Sequence, residues 1–391
     1  MTDRFRSGMA EATRLTGAGK LSEATALIQR LLGGGAAPAP AGAETADPRL
    51  GDPTVIDADY VTLDEAPPER PAPRPDGPAR PRSGLGETLR GLRRRAKAPQ
   101  PAPVPLPDGA AFETASHSGA AGTRAYRLYV PASRTGGPLP LVVMLHGCTQ
   151  SPDDFAAGTG MNALAEEHGC LVAYPEQPSS ANANKCWNWF EPGHQERDRG
   201  EPSLIAGIVR QIMRDHPVDA ARVYVAGLSA GGAAAALVAA AYPDLFAAVG
   251  VHSGLPAGAA RDLPSAFAAM RQGAAGDPAR RGVPTIVFHG DRDTTVHPRN
   301  GDAVAALATA SAAGRHPAVE RGRVPGGHAY SRAVHADPSG RVLCEQWTVH
   351  GAGHAWAGGS PSGSYTDPRG PDAAREMLRF FLAHRLPGNG P

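Results

Sequence analysis

The stretch Arg222-Val-Tyr-Val-Ala-Gly227-Leu-Ser229-Ala-Gly231-Gly232 is an apolar run that breaks into a G-x-S-x-G turn and continues as an alanine-rich segment. A strand entering such a turn and a helix leaving it reverse so tightly that side chains on either side of the serine would collide, which explains Gly227 and Gly231. A bare G-x-S-x-G arises by chance in a chain with 48 glycines. Here the flanking strand and helix supply the context that a chance match lacks. Ser229 is therefore the candidate nucleophile. The following helix points its free N–H groups and positive dipole end at the reacting oxygen, and Ala230 is the first candidate oxyanion donor.

Working upstream, Leu141 to Leu145 is an apolar strand running into His146-Gly147-Cys148-Thr149-Gln150. The loop after this strand is where a second oxyanion N–H is expected, and Cys148 is the candidate. A thiol nucleophile at Cys148 is disfavoured because Ser229 already occupies the elbow. Downstream, Thr285 to His289 is a strand followed by Gly290-Asp291-Arg292-Asp293. Either carboxylate could be the acid or cap the turn, and position slightly favours Asp293. The base candidates are His328, His350 and His354. His354 lies in a glycine-flanked loop, His350 at a strand end, and His328 in a separate Gly-rich turn.

The surrounding pattern alternates strands and helices. Strands are predicted at Tyr126–Val130, Leu139–Leu145, Cys170–Tyr174, Arg222–Ala226, Ala247–Val251, Thr285–His289 and Gln346–His350. Helices are predicted at Ser203–His216, Ala230–Ala241, Asp302–Ala312 and Asp372–Ala383. Alternation implies parallel strands joined by crossovers, hence a three-layer α/β domain over residues 111–386 with a mostly parallel central sheet.

Two regions precede it. Residues 1–33 read as a helical hairpin whose apolar stripe (Leu21, Ala24, Ile28, Leu31) must bury against something. Self-association or docking on the main domain is the plainer expectation, and contact with a polymer surface the sharper one. Residues 34–110 hold 16 of the 39 prolines, with Ala and Gly between them, which predicts a disordered linker. Its front is acidic and its rear basic (Arg90, Arg93, Arg94, Arg95, Lys97).

Lys+Arg 39 against Asp+Glu 38 gives a net charge of +1, which argues against nucleic acid as the partner of the whole chain. Ala233–Ala241 is too short to span a bilayer, so no transmembrane segment is expected. The four cysteines, Cys148, Cys170, Cys186 and Cys344, are too few for a disulfide-built scaffold. They leave a Cys148–Cys186 bridge open but favour free, mostly buried thiols. No HExxH or phosphate-cradling glycine motif is present, so neither metal nor organic cofactor is expected. The N-terminus shows no secretory leader, which predicts an unexported chain.

With these residues in place, the region from about Tyr126 to Phe381 resembles the poly(3-hydroxybutyrate) depolymerase family of esterases, α/β-hydrolases that include feruloyl and acetylxylan esterase relatives. The resemblance rests on Leu145-His-Gly-Cys-Thr-Gln150, Cys186-Trp-Asn-Trp-Phe190, Gly227-Leu-Ser-Ala-Gly231, His289-Gly290, Asp293-Thr-Thr-Val296 and Gly353-His-Ala-Trp356. It implies an α/β-hydrolase fold, a Ser229–His354–Asp293 triad, and hydrolysis of polyester, oligomer or carbohydrate-linked esters. It also implies that Trp187, Trp189 and Trp356 line the substrate cleft. The family is typically extracellular, so the missing leader leaves a cytoplasmic location as the alternative. A non-catalytic adaptor, binding a polymer granule through residues 1–107, is the competing expectation.

Overall fold

The computed structural model describes residues 106–387, apart from 135, 281 and 311–315. The expected helical hairpin at 1–33 and most of the expected linker lie outside the described residues.

The strand Leu139–Leu145 (β3) is buried at every position, as expected of a strand covered on both faces. Its alternate side chains feed two separate cores. Leu141, Val143 and Leu145 pack on one face with the helices Gly200–Asp215 (α3), Ala230–Ala241 (α4) and Arg299–Thr309 (α6). Val142 and Met144 pack on the other with Pro152–Thr159 (α1), Met161–His168 (α2) and Ala373–Leu382 (α7). The period of two along β3 thus makes the three layers. The helix Leu263–Gln272 (α5) packs on a third, smaller cluster that includes Trp189, Ala230 and Val296.

The other strands are Ala111–Gly119 (β1), Gly122–Val130 (β2), Leu171–Pro175 (β4), Val218–Leu228 (β5), Ala248–His252 (β6), Thr285–Gly290 (β7), Ala318–Arg323 (β8), Ala329–Ala336 (β9) and Val342–Val349 (β10). They form one sheet in the order β1-β2-β4-β3-β5-β6-β7-β10-β9-β8. The pairings from β4 through β3, β5, β6 and β7 to β10 are parallel. Both edges are antiparallel, β1-β2-β4 on one side and β10-β9-β8 on the other. A short parallel pair, Trp356–Ala357 (β11) and Thr366–Asp367 (β12), stands apart.

The expected buried strands are present. The antiparallel edges were not expected, and their composition explains why. β1 and β8 carry exposed or half-exposed residues such as Glu113, Ser116, Glu320 and Arg321, so no apolar run announces them. The helix expected at Asp302–Ala312 begins instead at Arg299, preceded by Pro298. Among the described residues no helix is long and apolar enough to cross a membrane.

Register aligns the carboxyl ends of the parallel strands. Leu145 pairs with Gly227, Leu228 with His252, His252 with Phe288, and Gly290 with Val349. The loops that leave these ends therefore open on one edge, where ligands of parallel α/β sheets bind.

Candidate active site

Ser229 joins β5 to α4 with φ 58° and ψ −119°, a conformation L residues seldom adopt. The two glycines explain how the turn closes. A side chain on Gly227 would run into the Gly231 backbone, and one on Gly231 into the carbonyls of Leu145 and His146. The Ser229 N–H donates to the His252 carbonyl at 2.9 Å, which ties the elbow to the next strand.

The His146–Gln150 loop lies against this elbow: a Cβ on Gly147 would stand 3.7 Å from the Ser229 Cβ. His146 is fully buried, and burial pushes its imidazole down to about 4, so it is neutral at pH 7. Its Nε2 accepts from the Gln177 N–H at 3.0 Å, which leaves Nδ1–H to donate to the Gly147 carbonyl at 2.8 Å. Gln150 Oε1 accepts from the Gly147 N–H at 2.8 Å, while Gln150 Nε2 donates to Asp154 and to Ser364. The Cys148 and Ala230 N–H groups donate to no protein acceptor among the described residues.

Cys148 and Cys186 form a disulfide, which corrects the expectation of free thiols. Cys170 and Cys344 are free and buried, as expected. The spacing of 38 residues carried no signal for pairing. The bridge is made by the crossover that returns the Asn182–Cys186 loop to the end of β3, where the Thr149 N–H also donates to the Asn184 carbonyl.

Asp293 and His354 meet across the ends of β7 and β10, with His354 Nδ1 donating to Asp293 Oδ2 at 2.7 Å. The other carboxylate oxygen accepts the N–H groups of Thr295 and Val296, each at 2.9 Å. Burial pushes the Asp293 carboxyl up, but hydrogen bonds from His289 and His354 outweigh it and hold the group well below the usual carboxylate range. Asp293 therefore stays ionised. Ser229 Oγ is not hydrogen-bonded to His354, and His354 Nε2 has no protein partner among the described residues.

The competing candidates have partners of their own. Asp291 Oδ2 accepts from His350 Nδ1 at 2.9 Å, and His350 Nε2 lies 2.9 Å from Ser331 Oγ. His328 Nε2 bonds Asp367 at 2.8 Å, and its Nδ1 bonds the His350 carbonyl at 3.0 Å.

His252 was not singled out in the sequence. It is fully enclosed, and burial pushes its imidazole down to about 3. Its Nε2 accepts the Ala357 N–H at 2.9 Å while its carbonyl holds Ser229. One neutral histidine thus joins the elbow to the segment that follows His354. Nothing in the sequence distinguishes it from an ordinary strand-end residue.

The three tryptophans are buried. Trp187 is 0 % exposed and donates its indole N–H to the His146 carbonyl at 3.0 Å. Trp356 is 1 % exposed, stacked on His252 and edge-on to Phe155. Both support the loops from beneath and offer a substrate no surface, contrary to the cleft-lining role that the resemblance implied. Their size makes them equally suited to a core. Trp189, 7 % exposed, packs in the small cluster with Ala230 and Val296, beside the elbow.

The sheet, with a serine elbow at the edge where Asp293 and His354 pair, has the α/β-hydrolase fold. Residues 124–311 match the family described as esterase PHB depolymerase. The chain is 39 % identical over 230 residues to poly(3-hydroxyalkanoate) depolymerase C of Paucimonas lemoignei, covering 55 % of this chain and 54 % of that one. It is 31 % identical over 194 residues to feruloyl esterase B of Thermothelomyces thermophilus, covering 44 % and 65 %. The chain thus spans about half the length of the depolymerase relatives it matches. An acetyl xylan esterase from Aspergillus awamori superposes with a TM-score of 0.57 at 20 % identity, over 70 % of this chain and 99 % of that one, and shares the fold.

Proposed function

We propose that this chain hydrolyses carboxylic esters through an acyl-enzyme on Ser229, with His354 as general base and Asp293 as its orienting acid. The observation that carries this reading is the 2.7 Å Asp293–His354 hydrogen bond at the strand edge that also holds the Ser229 elbow. With Nδ1–H committed to an ionised carboxylate, His354 Nε2 keeps a lone pair for the Ser229 proton. Ser229 Oγ attacks the ester carbonyl, and the N–H groups of Cys148 and Ala230 stabilise the oxyanion. His354 then protonates the departing alcohol. Water then gives its proton to the same imidazole as its oxygen attacks the acyl carbonyl, and the imidazolium returns that proton to Ser229 Oγ as the Oγ–acyl bond breaks and the acid leaves.

The substrate we propose is an oligo- or poly(3-hydroxyalkanoate) ester, supported by the identity to a relative that carries that name. The feruloyl and acetylxylan esterase relatives favour a second reading, an ester linked to carbohydrate. A fluorophosphonate probe tests the chemistry: the folded protein should be labelled, and Ser229→Ala should not. Folded wild-type protein that stays unlabelled would sink the reading. Release of acid from 3-hydroxybutyrate oligomers, compared with feruloylated and acetylated sugars, decides between the substrates.

A further inference from the structure

Tyr365 is one of the few large side chains with an apolar body left open to solvent among the described residues, at 48 % exposure. The others, Leu106, Leu263, Phe267 and Val319, have hydrocarbon side chains with no polar group to fasten them to the loops around Ser229. Tyr365 is fastened to two of them. Its carbonyl accepts the Trp356 N–H at 2.7 Å, two residues beyond His354. Its Oη lies 3.3 Å from Thr149 Oγ1, next to the oxyanion candidate Cys148.

Its neighbours hold it there. Gln150 Nε2, on the side chain whose oxygen holds Gly147, donates to the Ser364 carbonyl at 3.1 Å. The Ser364 N–H donates to Asp154 Oδ1 at 2.9 Å. Gly363 lies so close to Gly158 of α1 that a side chain would not fit between them. The backbone at Tyr365 has φ 52°, in the left-handed region that a bulky residue rarely adopts. Left-handed non-glycine residues also include Thr149, Lys185 and Ser229. Such residues cluster where a site dictates the backbone.

We propose that Tyr365 is a specificity-determining contact of the site, its ring forming the wall against which the part of an ester substrate beyond the scissile carbonyl lies. Thr149 Oγ1 donates its proton to the Cys148 carbonyl at 2.6 Å, so the Tyr365 hydroxyl must donate to Thr149. Its remaining lone pairs can then accept from a substrate hydroxyl. The tyrosine therefore offers an apolar face and an acceptor at its tip. A hydroxyacyl oligomer, with methyl groups along its length and a terminal hydroxyl, matches both; an acetyl ester of a simple phenol has no hydroxyl and no acyl chain beyond one methyl group.

This rests on the esterase reading of Ser229, and the test separates the two. Tyr365→Asn removes the ring while tolerating left-handed backbone. Kinetics are measured on p-nitrophenyl acetate and on linear 3-hydroxybutyrate trimer, for wild type, Tyr365→Asn and Tyr365→Phe, with fluorophosphonate labelling as the check on Ser229. Tyr365→Asn should raise KM for the trimer at least about tenfold and leave kcat/KM on p-nitrophenyl acetate within about threefold, a loss that a single apolar contact can produce. Tyr365→Phe keeps the ring and loses the acceptor, so trimer kcat/KM should fall about two- to fivefold, less than in Tyr365→Asn. Unchanged trimer KM in Tyr365→Asn, or equal losses on both substrates, would overturn the proposal, as would a Phe variant as poor as the Asn variant. Failure of the wild type to label would instead remove the esterase reading beneath it.

Discussion

Two His–Asp pairs stand a few residues apart at the same edge of the sheet, and both end on a serine-bearing side of the molecule. In one, His350 Nδ1 and Asp291 Oδ2 are 2.9 Å apart, and Ser331 Oγ completes the chain at 2.9 Å from His350 Nε2. In the other, His354 and Asp293 are 2.7 Å apart, and Ser229 waits on its elbow without a bond to the imidazole. By hydrogen bonds alone the first is the more complete triad. Surroundings reverse the ranking. The His350 and Asp291 side chains are 42 % and 38 % exposed, against 12 % and 0 % for His354 and Asp293. Ser331 lies inside β9 with its backbone paired to β8 and β10, so no amide there is free to hold an oxyanion. Ser229 opens a helix beside unbonded N–H groups. A nucleophile needs a low-dielectric pocket and donors for the charge it creates, and an aligned proton relay supplies neither.

The comparison breaks most sharply at the two serines. Ser229→Ala should lower kcat on p-nitrophenyl acetate by about a million-fold, in line with nucleophile removal in other serine hydrolases. Ser331→Ala should leave it within about twofold, since a serine without oxyanion donors adds little. An equal loss in both would mean the exposed pair takes part in the chemistry.

The carboxylates come next. Asp293→Asn should cost about 10⁴ in kcat by favouring the wrong imidazole tautomer. Asp291→Asn breaks a surface pair worth about 1 kcal/mol or less and should change kcat by less than about threefold. Steady-state kinetics on the same ester reads both, with a thermal melt to confirm folding.

Acid separates the pairs by stability. His252 and His146 sit neutral in the native protein at about 3 and about 4, against 6.5 when unfolded. Because the folded values lie below the unfolded one, the unfolded chain binds more protons between them. Stability should therefore be intact above about pH 6.5 and fall as pH drops towards 4, by roughly 5 kcal/mol at an order-of-magnitude level. Thermal midpoints from pH 7 to pH 4 measure this. His252→Gln should flatten the acid limb; an unaltered limb would show that another group carries the acid sensitivity.

A smaller effect should follow from the bridge that fastens the His146–Gln150 loop. The Cys148→Ser/Cys186→Ser double variant opens a loop of 38 residues and should lose about 3–4 kcal/mol in denaturant unfolding. A loss below about 1 kcal/mol would show that the Thr149–Asn184 and Gly147–Gln150 hydrogen bonds hold the loop without it.

The sequence by itself determined the parts whose physics is local. Gly227, Ser229 and Gly231 are dictated within five residues, because the clashes that forbid side chains arise inside one turn and the strand beside it. The fully buried strands β3, β6 and β7 were legible for a similar reason: an apolar run that fits no exposed position announces itself. Local sequence left two carboxylates and three imidazoles open, with Asp293 only slightly favoured, and the tertiary structure shows which meets which. Asp291 and Asp293 are two residues apart, and their partners lie 59 and 61 residues away. Only the parallel register of β7 and β10 sorts the pairs. The same holds for the Cys148–Cys186 bridge, the polar edge strands and the buried tryptophans. In each case the deciding contact joins segments distant along the chain, and the residue's own chemistry suits more than one outcome.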